Sequence, residues 1–277
     1  MKIDAHQHFW DYAANAADYV WMSDAEHMLR RNFLPDDLAP LLKQAGYGGT
    51  VAVQAREMRK ESDWLLALAK EHDFIRGVVG WLDLTDPTVD AQLDAYTNDT
   101  KLKGLRMLIH DQPDPDFADS PEHLRGVAKL EARGLAYDLL LRTIHLPAAI
   151  RLVDALPNQR FVIDHIAKPK MDCGDWDAWS AGMTVIAERP NVMCKLSGLV
   201  TMGDWTEWRS QPYARFLDHV LECFGTSQCM IGSDWPVATC SADYGDTMGV
   251  VERWTEPLSA TEKAAIFGAN CSVFYRL

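Results

Sequence analysis

Short runs of β-branched and aliphatic residues alternate along this chain with stretches in which apolar residues recur at three- and four-residue spacing. The first run, Lys2 to Phe9, is followed by Gly49 to Ala55, Ile75 to Leu82, Lys103 to Ile109, Leu135 to Arg142, Arg160 to His165, Asn191 to Ser197 and Gln228 to Gly232. Each has the length and composition of a strand buried in a parallel sheet. Between them the spacing predicts helices: one capped by Asp36 or Asp37 and stopped at Gly46, and one from Asp63 to His72 opened by Ser62, with Trp64, Leu65, Leu68 and Ala69 as its stripe. Further helices are predicted after the Asp86-Pro87 cap, from Ser120-Pro121 to Gly134, from Pro147 to Leu156, from Asp175 to Glu188 and from Pro212 to Phe224. A capping box, Ser259-Ala-Thr-Glu262, opens a last helix through Gly268-Ala-Asn270.

Strands alternating with helices imply right-handed crossovers, and eight repeats in one chain favour an α/β fold of the closed (β/α)8 TIM-barrel type, a single domain over residues 1–277. No Gly-x-Gly-x-x-Gly or P-loop follows the first strand, so an open nucleotide-binding sheet loses its usual support. The segments after strands one, four, seven and eight are long and carry Trp10, Trp21, Phe117, Trp205, Trp208, Trp235 and Tyr244. In such a barrel the long βα loops form the active-site face. The stretch from Trp10 to Phe33 is long enough to serve as a wall or lid.

Composition narrows the partners. Lys plus Arg number 27 against 40 Asp plus Glu, a formal charge of −13, which repels phosphate backbones and anionic membranes and leaves a small molecule as the expected ligand. The six cysteines form no Cys-x-x-Cys pair, no apolar run reaches membrane-spanning length, and with the first strand read from residue 2 no secretory leader is expected. The expectation is a reduced, cytoplasmic protein.

Side chains two apart in a strand share a face, so His6 and His8 converge on one point at the end of the first strand. On the barrel assumption the other strand ends bring Gln54, Arg56, Arg106, His110, Arg142, His165, Lys195 and Asp234 to the same mouth. Neutral imidazoles and a carboxylate can ligate a divalent metal or move protons near neutral pH. Aromatic walls over a polar floor suit an organic ligand.

The motifs Asp4-Ala-His-Gln-His-Phe-Trp10, Gly104-Leu-Arg106, Asp164-His-Ile-Ala-Lys-Pro169, Cys194-Lys-Leu-Ser-Gly198 and Gly232-Ser-Asp-Trp-Pro236, with the C-terminal Gly268-Ala-Asn270 and Phe274-Tyr275, span the chain. Together they resemble the amidohydrolase superfamily, in its sugar-lactonase branch. The resemblance implies that His6, His8, His165 and Asp234 surround a hydrolytic water, with Asp234 and His165 catalytic and all four able to hold one Zn2+. Strand five ends in Leu141-Arg142, with His145 three residues beyond, and strand four offers no bridging lysine, which argues against a binuclear centre. A single zinc and a metal-independent site both stay open. Arg106 and Lys195 match the family motifs as substrate contacts, with Arg56, Arg142, Trp10 and Trp235 as further candidates. The implied reaction is hydrolysis of an aldonolactone, L-fuconolactone or a related L-sugar lactone. A metal-dependent decarboxylase of an aromatic acid and a non-catalytic sugar-binding barrel are the alternatives.

Overall fold

The computed structural model describes residues 1–96 and 98–277. Eight strands, β1 (Ile3–Gln7), β2 (Gly49–Val53), β3 (Ile75–Gly80), β4 (Leu102–Met107), β5 (Ala136–Leu139), β6 (Phe161–Ile163), β7 (Val192–Leu196) and β8 (Cys229–Ile231), pair in sequence order, each parallel to the next. Beyond the ladder, His8 N donates to Trp235 O at 2.7 Å and Asp234 N donates to His6 O at 2.8 Å, which closes β8 onto β1. The sheet is therefore a (β/α)8 barrel.

Every strand is shorter than the apolar run that predicts it. The trimmed residues are mostly those at the C-terminal rim, where His8, Gln54 and His165 leave the ladder. In the β1–β2 pairing the register shifts between Asp4 and Gln7. Simple alternation would put Ala5 and His6 on opposite faces; with the shift, Ala5 packs inside the barrel while His6 and His8 still meet above it.

The helices are α1 (Pro35–Ala45), α2 (Arg59–Glu71), α3 (Val89–Asp94), α4 (Pro121–Val127), α5 (Leu146–Ala155), α6 (Trp176–Ala187), α7 (Tyr213–Phe224) and α8 (Tyr244–Trp254), followed by α9 (Ala260–Ala264) and α10 (Asn270–Tyr275). Several starts differ from expectation; α3, for one, begins at Val89 and not at Pro87. Helix α1 begins before its aspartates, and Asp37 caps from inside by accepting Leu34 N–H at 2.8 Å. Helix α2 begins three residues ahead of Ser62, which is buried and bonds both N and O of Trp81. Tyr244, expected in a loop, opens α8 and is buried. The Ser259–Glu262 capping box forms as expected, but at Gly268 the helix widens into a π turn and the chain continues as α10. A Cβ at Gly268 would stand 2.2 Å from Met1 O, so only glycine lets this segment pass under β1.

Ile3, Ala5, Val51, Val53, Val79, Val162 and Met230 fill the lower barrel, and Phe274 and Tyr275 plug it from below. A larger apolar shell lies between strands and helices. Polar side chains occupy the upper interior, so the site sits at the C-terminal ends of the strands. Among the described residues no helix is long and apolar enough to cross a membrane.

Candidate active site

The floor of the site is built from β1 and the ends of β6 and β8. His6 Nε2 and His8 Nε2 are 3.2 Å apart, and Asp234 Oδ1 lies 3.2 Å from the latter and 3.7 Å from the former. His8 Nδ1 donates to Val53 O at 2.8 Å, which leaves its Nε2 as a lone pair facing the floor. Asp4 sets the spacing from behind: it accepts from His6 N, Ser233 N, Ser233 Oγ and Tyr244 Oη at 2.6–3.1 Å, tying β1 to the residue before Asp234. Asp234 itself has a left-handed backbone, φ 58°.

His165 comes from a turn in which four consecutive non-glycine residues, His165, Ile166, Ala167 and Lys168, have φ of 53°, 46°, 61° and 46°. Such a conformation costs roughly 1–2 kcal/mol per L-residue. The turn is held by the Trp179 indole, which donates to Ile166 O at 2.7 Å, and by Gly198, where a Cβ would stand 2.6 Å from His165 Nδ1. His165 Nδ1 pairs with Ser197 Oγ at 2.9 Å, and its Nε2 lies 3.8 Å from Asp234 Oδ1. Burial pushes His6 and His165 well below the usual imidazole range, so both are neutral at pH 7. Burial alone would raise the Asp234 carboxyl; the facing His165, His8 and Lys168 outweigh it and hold Asp234 ionised.

Beneath this floor lies a layer of buried charge that sequence reasoning did not separate from the site. Lys195 Nζ sits 2.5 Å from Asp138 Oδ2, 3.0 Å from Asp164 Oδ1 and 3.2 Å from His6 Nδ1. Tyr275 Oη donates to Asp138 at 2.7 Å, and Arg106 Nη1 donates to Asp164 Oδ2 at 2.9 Å. Burial opposes the Lys195 charge, but the two aspartates outweigh it and raise its pKa. Asp164, despite its burial, is held well below the carboxylate range by Lys195, His6 and Arg106.

Lys195, expected at the mouth, is thus fully buried under the floor and cannot meet a ligand. Arg56 is also placed elsewhere: Nη1 pairs with Asp18 at 2.9 Å and Nε with Glu61 at 3.3 Å, tying the long loop after β1 to α2. Trp235 is packed edge-on against Phe9 and Phe33 and is buried in the shell. Of the other expected contacts, Arg106, Arg142 and Trp10 line the cavity above the floor, which measures about 440 Å³. Trp10 is fixed by indole N–H donation to Leu29 O and Arg31 O, at 3.2 and 2.9 Å. Trp21 and Trp205 also face the cavity, whereas Trp208 and Tyr244 are buried away from it. His110 and Lys168 also line the cavity; the sequence placed Lys168 in a motif, but nothing in it revealed the left-handed turn that delivers it.

The floor suits a metal ion. His6 Nε2, His8 Nε2 and Asp234 Oδ1 mutually lie within 4.8 Å, and the 3.2 Å between the two imidazole nitrogens approaches the roughly 3.3 Å edge of a tetrahedron with Zn–N bonds of ~2.0–2.1 Å. With His6 Nδ1–H turned to Asp164, 3.3 Å away, two lone pairs and a carboxylate oxygen face one point. Such an array is stable around a cation.

Eight parallel strands with a His/His/Asp floor at their C-terminal ends, and a third histidine beside it, define a barrel built for polar chemistry on a small ligand. The chain belongs to the amidohydrolase family, whose profile matches residues 3–277. An L-fucono-1,5-lactonase of Burkholderia multivorans is 39% identical over 288 residues, covering 100% of this chain and 96% of its own. That of Burkholderia ambifaria is 37% identical over 289 residues, with the same coverage. A crystal structure of a Burkholderia multivorans amidohydrolase with bound zinc superposes with a TM-score of 0.93 at 39% identity, covering 100% of this chain and 99% of that one.

Proposed function

We propose that this protein hydrolyses a sugar lactone, of the L-fucono-1,5-lactone class, to its aldonate. The observation that carries the reading is an ionised Asp234 set among the neutral His6 and His165 under a cavity lined by indoles and cationic side chains. The 37–39% identity to proteins named L-fucono-1,5-lactonase, over the full chain, supports the same substrate class. The decarboxylase and the non-catalytic barrel have no comparable support.

In this reading the lactone carbonyl lies over the floor and a water lies between it and Asp234. Asp234 takes a proton as the water oxygen attacks the carbonyl carbon. The Arg106 guanidinium, beside His6 Nε2 at 3.3 Å, supplies a fixed positive field as negative charge grows on the carbonyl oxygen. The C–O ring bond then breaks, and the proton held by Asp234 passes to the departing ring oxygen. Trp10 and Trp21 flank the sugar ring, and Arg142 binds its oxygens. His6, His8 and Asp234, with His165 beside them, would hold a Zn2+; such an ion polarises a carbonyl and acidifies water.

Steady-state rates on a panel of aldonolactones, acyl-homoserine lactones and aromatic dicarboxylate lactones, with a parallel CO2 assay on aromatic acids, test the reading. Aldonolactones should lead by more than about tenfold, ~1.4 kcal/mol of transition-state discrimination. A lead by either other lactone class, or CO2 release, contradicts it.

A further inference from the structure

The left-handed turn after β6 carries a functional side chain at each end. His165 at its start meets Asp234, and Lys168 at its close reaches into the same cavity. The cavity floor accounts for the first half of this strained backbone and leaves the second unexplained.

Lys168 differs from the three fully buried cations of the described residues. Lys195, Arg106 and Arg56 are each paired with carboxylates within 3.3 Å. Lys168 is half-buried, and among the described residues it forms no ion pair. Its one polar side-chain contact is to a histidine: Nζ donates to His110 Nδ1 at 3.2 Å, and His110 Nε2 in turn lies 3.1 Å from Asp111 Oδ2. Burial, the main cause, pulls His110 down to about 4, so its neutral ring can accept at Nδ1 while its Nε2–H donates to Asp111. One ammonium N–H is thereby aimed and two remain uncommitted in the cavity.

We infer that Lys168 anchors the sugar ring, its ammonium donating to a ring hydroxyl of the lactone whose carbonyl Asp234 addresses, with His110 and Asp111 as positioning residues that aim it. The inference rests on the lactonase reading and narrows it: the site selects lactones that carry hydroxyls, because an unsubstituted ring offers this ammonium nothing to bind. Burial lowers Lys168 to about 8, which leaves it mostly protonated at neutral pH.

The test compares kcat/KM of the wild type and Lys168→Met on L-fucono-1,5-lactone and on δ-valerolactone, which has the same ring without hydroxyls. Loss of one charge-assisted hydrogen bond should lower the first by about 10- to 100-fold, with the second changing by less than about threefold. Asp111→Asn, at an exposed position, should shift the same ratio in the same direction by a smaller factor and serves if Lys168→Met does not fold. Equal losses on both lactones would mark Lys168 as merely structural, and no loss on either would remove it from the site; both overturn the inference. Calorimetric titration with L-fucose, which has the hydroxyls but no lactone carbonyl, separates the two readings. A wild type that opens neither lactone but binds L-fucose more tightly than Lys168→Met overturns the lactonase and keeps the anchor, whereas equal affinities overturn the anchor.

Discussion

Asp4 holds His6 and the end of β8 through four hydrogen bonds, yet it never faces the cavity. Asp4→Asn turns one acceptor oxygen into a donor against these donors, so it should cost about 1–3 kcal/mol of stability and lower kcat; an unchanged melting curve would contradict this. Lys195→Met should cost more, about 3–5 kcal/mol by chemical denaturation, because it strands two buried aspartates. A loss under about 1 kcal/mol would mean the network is solvated. For the metal, Zn2+ added to chelator-treated protein should raise Tm in proportion to ln[Zn2+], and His8→Ala should abolish the rise; equal rises would place the ion elsewhere. Strand-end position put His6, His8, His165 and Asp234 among ten candidates at the mouth, and the family resemblance singled these four out; the structure brings them together. Lys195 and Arg56 were misplaced because strand position gives a direction but not a depth: Lys195 sits one layer below the floor, and Arg56 bends back to Asp18 and Glu61.

The turn after β6 is the element on which the site depends most. Gly198 has φ 65° and packs on the His165 ring, so Gly198→Ala adds a left-handed L-residue and a 2.6 Å contact. It should cost at least ~1–2 kcal/mol and reduce kcat more than it raises KM; wild-type kcat in this variant would show that the ring is free to shift. No sequence pattern announced this turn, because its four left-handed residues are neither glycine nor asparagine. The long wall after β1 was legible by its length, and Trp10 does face the cavity from it. Its tether was not, since the Arg56–Asp18 pair joins residues 38 positions apart. Strand and helix order followed from periodicity, while helix starts moved where a tertiary contact, such as Ser62 with Trp81, claimed the expected cap.

For the whole molecule, burial sets a pH dependence. It holds His6, His110, His123, His145 and His165 below the usual imidazole value of 6.5, with His110 and His123 at about 4. Between those values the unfolded chain binds more protons than the folded one, so these groups make stability rise with pH. Asp4, Glu61 and Asp138, pushed up by burial to about 6, 7 and 6, act in the opposite sense over the same range. The histidines outnumber them, so Tm should fall from pH 7 to pH 5. His123→Gln, outside the site, should flatten the slope by about one proton, ~1.4 kcal/mol per pH unit. A higher Tm at pH 5 than at pH 7 would contradict this balance. The central claim, that Asp234 on this barrel drives water into a sugar lactone, is tested most directly by acid release from L-fucono-1,5-lactone with the wild type and Asp234→Asn. Rapid hydrolysis by the wild type and a kcat lower by ~10²–10⁴ in the folded variant are expected; an inactive wild type, or a variant of near-normal kcat, would contradict it.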